Sequence, residues 1–188
     1  MTAQQVAQSI KAQNVQNDIV LIAIEGFGGS GKSTLAHEIK SYLKDAYVIS
    51  IDDFIVKAKL ADLSWDNGVF DHQRLEKQVL IPATTGRAIA YQKLDWSTGT
   101  LSQPITVPRV RFLILEGISS YHPSIAQYYT FKIWINTPIQ IAKKRGHARD
   151  GGSENAQHWD LWAENDLKYQ REHHPEIQAG FQINNDDM

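Results

Sequence analysis

The sequence predicts an α/β fold of three layers, a mainly parallel sheet between two sets of helices, in a single domain over residues 1–188. Three observations predict it. Short continuous apolar runs recur at 18–26 (DIVLIAIEG), 46–51 (AYVISI), 111–117 (RFLILEG) and 130–136 (TFKIWIN). A strand buried on both faces reads this way, without the alternation of a half-exposed one. Between the runs lie stretches with apolar residues at helical spacing. A glycine-rich turn joins the first run to the stretch that follows it.

Each element can be argued in order. Val6 and Ile10, four apart, suggest a short amphipathic helix ahead of the first strand. KSTLAHEIKSYLKD (32–45) places Leu35, Ile39, Tyr42 and Leu43 on one helical face. The helix from about Asp71 has Leu75, Val79 and Leu80 as its apolar face, and Pro82 limits its length. RAIAYQKLDW and QPITVPRV alternate weakly around turn residues and suggest a hairpin-like excursion. After the fourth strand, Thr137 is the expected N-cap and Pro138 the first residue of a helix. ENAQHWDLWAENDLKYQREHH (154–174) reads as one long helix stopped by Pro175, and FQIN (181–184) as a closing strand. GGSENA (151–156) is a loop within the domain.

Composition narrows the function. Apolar residues make up 42%, charged residues 21%, and the net charge is -2 with no long basic cluster, so no nucleic-acid partner is expected. The chain has no cysteine, which excludes thiolate chemistry and fits a reducing, cytoplasmic setting. The opening MTAQQVAQSIKAQN does not read as a secretory signal, and Ile19–Ile24 is too short for a bilayer, so no membrane partner is expected. A homo-oligomer stays open.

GFGGSGKST (26–34) matches G-x-x-x-x-G-K-[ST] through Gly26, Gly31, Lys32 and Ser33. A chance match in a chain this long is well under about one in a hundred. Main-chain amides wrap a polyphosphate closely where no Cβ holds the backbone away, hence Gly26, Gly28, Gly29 and Gly31, with Ser30 among them as part of the binding loop. The helix that follows aims its free amides at the anion. Lys32 would reach the β- and γ-phosphates of a nucleotide, Ser33 would ligate Mg²⁺, and Thr34 would bond the α-phosphate. Asp52 and Asp53 follow the second strand and Glu116 ends the third, all at the edge where parallel sheets bind ligands. Asp52 is read as the base that activates an acceptor hydroxyl, with Asp53 competing for that role or capping a helix. Asp52 and Glu116 would support the magnesium, Glu116 directly or through water.

GFGGSGKSTLA, IDDF, FDHQRL, LDW, LILEGI, and ARD ahead of a tryptophan-rich helix occur in an order that resembles the uridine kinase and phosphoribulokinase-like branch of the P-loop kinases. The resemblance runs from about Ile19 to about Phe181. It implies the P-loop NTPase fold, ATP- and Mg²⁺-dependent phosphorylation of a hydroxyl on a small-molecule acceptor, and Asp52 as the activating carboxylate. It also implies a mobile lid over about 143–157, carrying Arg145 and Arg149, which the i, i+4 spacing sets on one helical face. Asp71, His72, Arg74, Asp95 and Trp96 fall where the family holds its acceptor. Equally, Asp71 could cap its helix and Trp96 pack in the core. The chain departs from uridine kinases at Ile55, a tyrosine there, and at STGTL after Trp96, which lacks their histidine and arginine. The acceptor's identity is therefore not legible. No N-K-x-D or D-x-x-G motif of a GTPase is present. An ATPase or a non-catalytic nucleotide sensor is the competing reading.

Overall fold

The computed structural model describes residues 1–13, 15–62, 64–66, 68–151 and 154–186. Five strands form one wholly parallel sheet in the order β2-β7-β1-β8-β9. They are β1 (Val20–Gly26), β2 (Ala46–Ser50), β7 (Phe112–Glu116), β8 (Phe131–Asn136) and β9 (Phe181–Asn184). All seven residues of β1 are buried, as its unbroken apolar run requires at the centre of such a sheet.

The pleat sorts the core into two faces. Val20, Ile22 and Ile24 pack with α1 (Ala3–Ala12) and α2 (Lys32–Leu43). Leu21 and Ala23 pack on the other face with Leu75, Val79 and Leu80 and with Tyr169. That face is covered by α3 (His72–Leu75), α4 (Ile81–Thr84) and α6 (Trp159–His173), with α5 (Ile139–Arg149) against α6. The three-layer α/β/α architecture expected from the sequence is the one observed. Thr2 caps α1: its hydroxyl accepts the Gln5 amide at 3.2 Å while the Gln5 side chain accepts the Thr2 amide at 2.9 Å.

Several local expectations change. Pro82 does not end its helix. A π segment over Glu76–Leu80 joins α3 to α4, and the Ile81 amide reaches back to the Glu76 carbonyl. That five-residue step accommodates a proline that has no N–H to give, and the helix runs on to Thr84. Tyr42 is 43% exposed, because Ala36 takes its place on the buried face of α2 beside Leu35, Ile39 and Leu43. Thr137 does not cap α5. Its hydroxyl donates to the Asn185 carbonyl at 3.1 Å, and Pro138 holds the cap position. The last long helix is α-helical only from Trp159, after a 3₁₀ turn at Glu154–His158. It closes on His174 in the left-handed conformation (φ +46°), followed by α7 (Pro175–Gln178).

The excursion at 90–106 is two nested antiparallel ladders. β3 (Ala90–Tyr91) pairs with β6 (Ile105–Thr106), and β4 (Leu94–Asp95) with β5 (Thr100–Leu101). Among the described residues, no helix is long and apolar enough to cross a membrane.

Candidate active site

Register decides what meets at the ligand edge. Glu116 lies opposite Ile24 of β1 on one side and Ser50 of β2 on the other. β1, β2 and β7 therefore reach the same edge of the sheet, and the glycine loop, the Asp52 turn and Glu116 surround one cavity of about 1520 Å³.

The loop leaves β1 at Gly26 and enters α2 at Lys32. Gly31 occupies the N-cap and offers no capping side chain, so the first-turn amides of α2 carry no cap of their own. At Gly29 the backbone has φ +78°, and a Cβ there would lie 2.1 Å from the Ala142 carbonyl oxygen of α5. Only glycine lets the loop run this close beneath that helix. Gly28, Gly29, Gly31, Lys32, Ser33 and Thr34 line the cavity. Gly26 and Ser30 lie beneath it: the Ser30 side chain is buried and its carbonyl accepts the Asn185 side-chain amide at 2.7 Å. Lys32 spans the loop, its Nζ donating to the Phe27 carbonyl at 2.8 Å.

Asp52 sits on a 3₁₀ turn, Ile51–Phe54, whose start is fixed by the Ser50 hydroxyl accepting the Asp52 amide at 3.3 Å. Its side chain is exposed and opens into the cavity, with protein atoms crowded around the carboxylate. That confinement, with the Glu116 charge added to it, pushes the Asp52 carboxyl up to about 6 against the pull of Lys32. Asp53 points elsewhere, accepting the Tyr91 hydroxyl at 3.0 Å. Glu116 is buried and accepts the Ser33 hydroxyl at 3.1 Å. Ser33, Asp52 and Glu116 offer oxygen atoms only, and two of them are carboxylates that repel each other. This donor set fits Mg²⁺, a hard cation that takes one or two carboxylates and relieves their repulsion.

Arg145 and Arg149 both line the cavity. Arg145 donates to the Asn185 carbonyl at 3.0 Å. Arg149 grips Asp150 through two hydrogen bonds, at 2.8 and 3.2 Å, and lies 5.6 Å from the centre of the Trp159 ring. Of the segment expected to form a lid, residues 143–149 are the regular end of α5 and 154–157 lie in the 3₁₀ turn, while Gly152 and Ser153 lie outside the described residues. Gly146 is buried in α5, and a Cβ there would lie 2.1 Å from the Trp159 ring. The glycine permits close packing of α5 against that ring.

The residues expected around the acceptor do not gather there, apart from Trp96. Trp96 is 54% exposed and lines the cavity, so it is not a core tryptophan. Asp71 caps its helix, accepting the Arg74 amide at 2.9 Å. Arg74 is a strut: its guanidinium binds the Gln92 carbonyl and lies 4.8 Å over the Phe54 ring. Asp95 closes its own turn with the Ser97 amide at 2.9 Å. His72 turns away from the cavity to the Ser119 hydroxyl at 3.2 Å and stacks on His122. Trp65, Phe70 and Trp162 line the cavity instead.

Two acids were not anticipated. Asp166 on α6 is buried, accepts the Gly28 amide at 2.7 Å through one oxygen and the Trp65 indole N–H at 2.7 Å through the other. It ties the glycine loop to the opposite cavity wall. The signal was the helical stripe Trp159, Ala163, Asp166, Tyr169, which sets one acid on an otherwise apolar buried face. Glu25, the residue before the loop, is fully buried, and burial pushes its carboxyl up to about 8. Tyr169 and the Ser119 backbone act in favour of its charge, yet both carboxyl oxygens lack a hydrogen bond of standard geometry.

Glu25 carries a stability prediction. The unfolded chain loses this proton near 4.5 and the folded protein near 8, so stability falls as pH rises between those values. The slope is at most about 1.4 kcal/mol per pH unit. Glu25→Gln has no proton to lose. Its melting temperature should match the wild type near pH 5 and exceed it by several degrees at pH 8.5, and a gap independent of pH would contradict the assignment.

No protein-family model matches this chain. The fold is that of the P-loop kinases. A structure from Bacillus stearothermophilus described as a possible uridine kinase superposes with a TM-score of 0.73 at 15% identity, covering 96% of each chain. Phosphoribulokinase from Rhodobacter spheroides superposes at 0.64 and 14% identity, over 89% of this chain and 70% of that one. In sequence, uridine-cytidine kinase C of Dictyostelium discoideum is 23% identical over 148 residues, which is 71% of this chain. The chain spans 30% of that curated relative's length. The resemblance to this group of kinases, read first from motif order, is thus met in the fold.

Proposed function

We propose that this chain is an ATP-dependent kinase that transfers the γ-phosphoryl group to a hydroxyl of a small molecule. The observation that carries the reading is the single cavity shared by the glycine loop, Asp52 and Glu116. Its volume, about 1520 Å³, exceeds the ~300–1,000 Å³ of ordinary single-ligand pockets and leaves room for an acceptor beside a nucleotide.

The mechanism follows from the placement of these groups. Backbone amides of 28–34 hold the phosphates, and Lys32 leaves the Phe27 carbonyl to offset their charge. Ser33, Asp52 and Glu116 would hold Mg²⁺, which when bound neutralises charge on the phosphate oxygens. Asp52 accepts the proton of the acceptor hydroxyl as its oxygen bonds to the γ-phosphorus and ADP departs. Arg145 and Arg149, on the cavity wall, supply positive charge to the phosphoryl group in transfer, whether or not 143–157 moves as a lid. Trp96, with Trp65 and Phe70, gives the acceptor side an aromatic surface that suits a ring or the apolar face of a sugar.

The test is ADP release from Mg-ATP across a panel of hydroxyl-bearing metabolites, including nucleosides, sugars and sugar acids. Stimulation at least tenfold by one class supports the reading and names the acceptor. Uniform background hydrolysis would instead favour an ATPase, and no turnover with ATP bound would favour a nucleotide sensor.

A further inference from the structure

Outside the cavity, behind the loop that carries Trp65 and Phe70, three ligand-competent side chains converge. Asp66 belongs to that loop, His122 follows β7, and His173 ends α6. The Asp66 Oδ1 atom lies 2.6 Å from His173 Nε2 and 3.5 Å from His122 Nε2, and the three donor atoms are all within 4.8 Å of one another. None of the three is deeply buried: their side chains retain 27%, 19% and 22% exposure in the order Asp66, His122, His173.

An Asp66–His173 ion pair would explain one imidazole. It leaves unexplained a second imidazole nitrogen turned to the same carboxylate oxygen. A shared cation explains both. Ligand atoms at ~2.0–2.1 Å around a tetrahedral zinc sit about 3.3 Å apart, so shifts of about an ångström bring the three into place. The surroundings already brace the rings. His122 Nδ1 lies 2.9 Å from the Ser124 hydroxyl, which can take the Nδ1 proton when Nε2 binds a metal. In the present geometry the Ser124 amide also points to that nitrogen at 3.2 Å, a bond that metal binding would give up. His72 stacks on the opposite face of the site, its ring 4.6 Å from His122 and nearly parallel, and the Tyr169 ring lies 4.8 Å from His173.

We propose that Asp66, His122 and His173 bind one divalent transition-metal ion, zinc by the chemistry of the ligands, with water as the fourth ligand. The site draws together positions up to 107 residues apart in sequence. It fastens the acceptor-side loop to the end of α6 next to Trp65, which is itself bonded to Asp166. The role is a structural staple, and the proposal stands whether or not the chain is a kinase.

The experiment uses tag-free full-length protein stripped by a chelator and titrated with Co²⁺ and then Zn²⁺. Elemental analysis after dialysis should give one ion per chain. Co²⁺ should give the visible absorption of a four-coordinate site and be displaced by Zn²⁺. His173→Ala, His122→Ala and Asp66→Asn should each weaken binding at least about tenfold. The sequence neighbour His174→Ala should bind as the wild type does. Zinc should also slow amide exchange at 64–66 and 68–70 in the wild type and not in His173→Ala. Circular dichroism reports whether His122→Ala folds; if it does not, the two more exposed positions carry the test. No saturable binding, binding indifferent to those three substitutions, or loss of binding in His174→Ala would overturn the site.

Discussion

Asp52→Asn is expected to lower phosphoryl transfer by about 10²–10⁴-fold while ATP still binds. The asparagine keeps the shape of the turn and the Ser50 cap beneath it but cannot take a proton. The wild type adds a second signature. A base displaced to about 6 is largely ionised at neutral pH. As pH falls below about 6 the carboxyl becomes protonated, and kcat/KM should drop about tenfold per unit. Above about 7 it should level off. Stopped assays of ADP formation between pH 5 and 8 would record this acidic limb in the wild type and its loss in Asp52→Asn. A variant that transfers phosphate at the wild-type rate would remove Asp52 from the chemistry. Asp53 would not inherit the role without leaving Tyr91.

The second large effect belongs to Lys32→Ala. Lys32 is the cation that spans the loop, and in the proposed complex it meets the charge that builds on the β- and γ-phosphates. Its removal should lower kcat/KM for ATP by at least about 10³-fold, roughly 4 kcal/mol of transition-state stabilisation. The fold should survive, since Lys32 is part-exposed and its bond to Phe27 is a tie within the loop. Isothermal titration with ATP and a denaturation curve separate the two effects. Turnover within tenfold of the wild type would mean that the loop does not hold the triphosphate as described.

The frame of this molecule was legible because its signals are local. Apolar runs without alternation suit strands buried on both faces, as in a parallel sheet, and the loop motif is contained within nine residues. The same order of elements brings Asp52 and Glu116 to one edge, through a register that ties Glu116 to both Ile24 and Ser50. The acceptor wall was not legible. Asp71 and Asp95 are consumed by their own turns and Arg74 by the distant Gln92 carbonyl, and nothing in a motif distinguishes a capping carboxylate from one that meets a ligand. Asp166 reaches Gly28 across 138 residues, and Asp66 reaches His173 across 107. Such pairings exist only once the sheet has set α6 against the loop. Gly146, likewise, admits the Trp159 ring, a packing role visible only once α5 and α6 are set side by side.

A triphosphate held by the amides of residues 28–34 should take the Gly28 amide from the Asp166 carboxylate and point its terminal phosphorus toward Asp52. A crystal structure with Mg²⁺ and a non-hydrolysable ATP analogue measures this directly. The γ-phosphate oxygens should be hydrogen-bonded to Gly28 N and Lys32 Nζ, with the Asp52 carboxylate facing the open side of that phosphorus. Nucleotide bound elsewhere with Asp166 still on Gly28, or Asp52 turned out of the cavity, would contradict this arrangement.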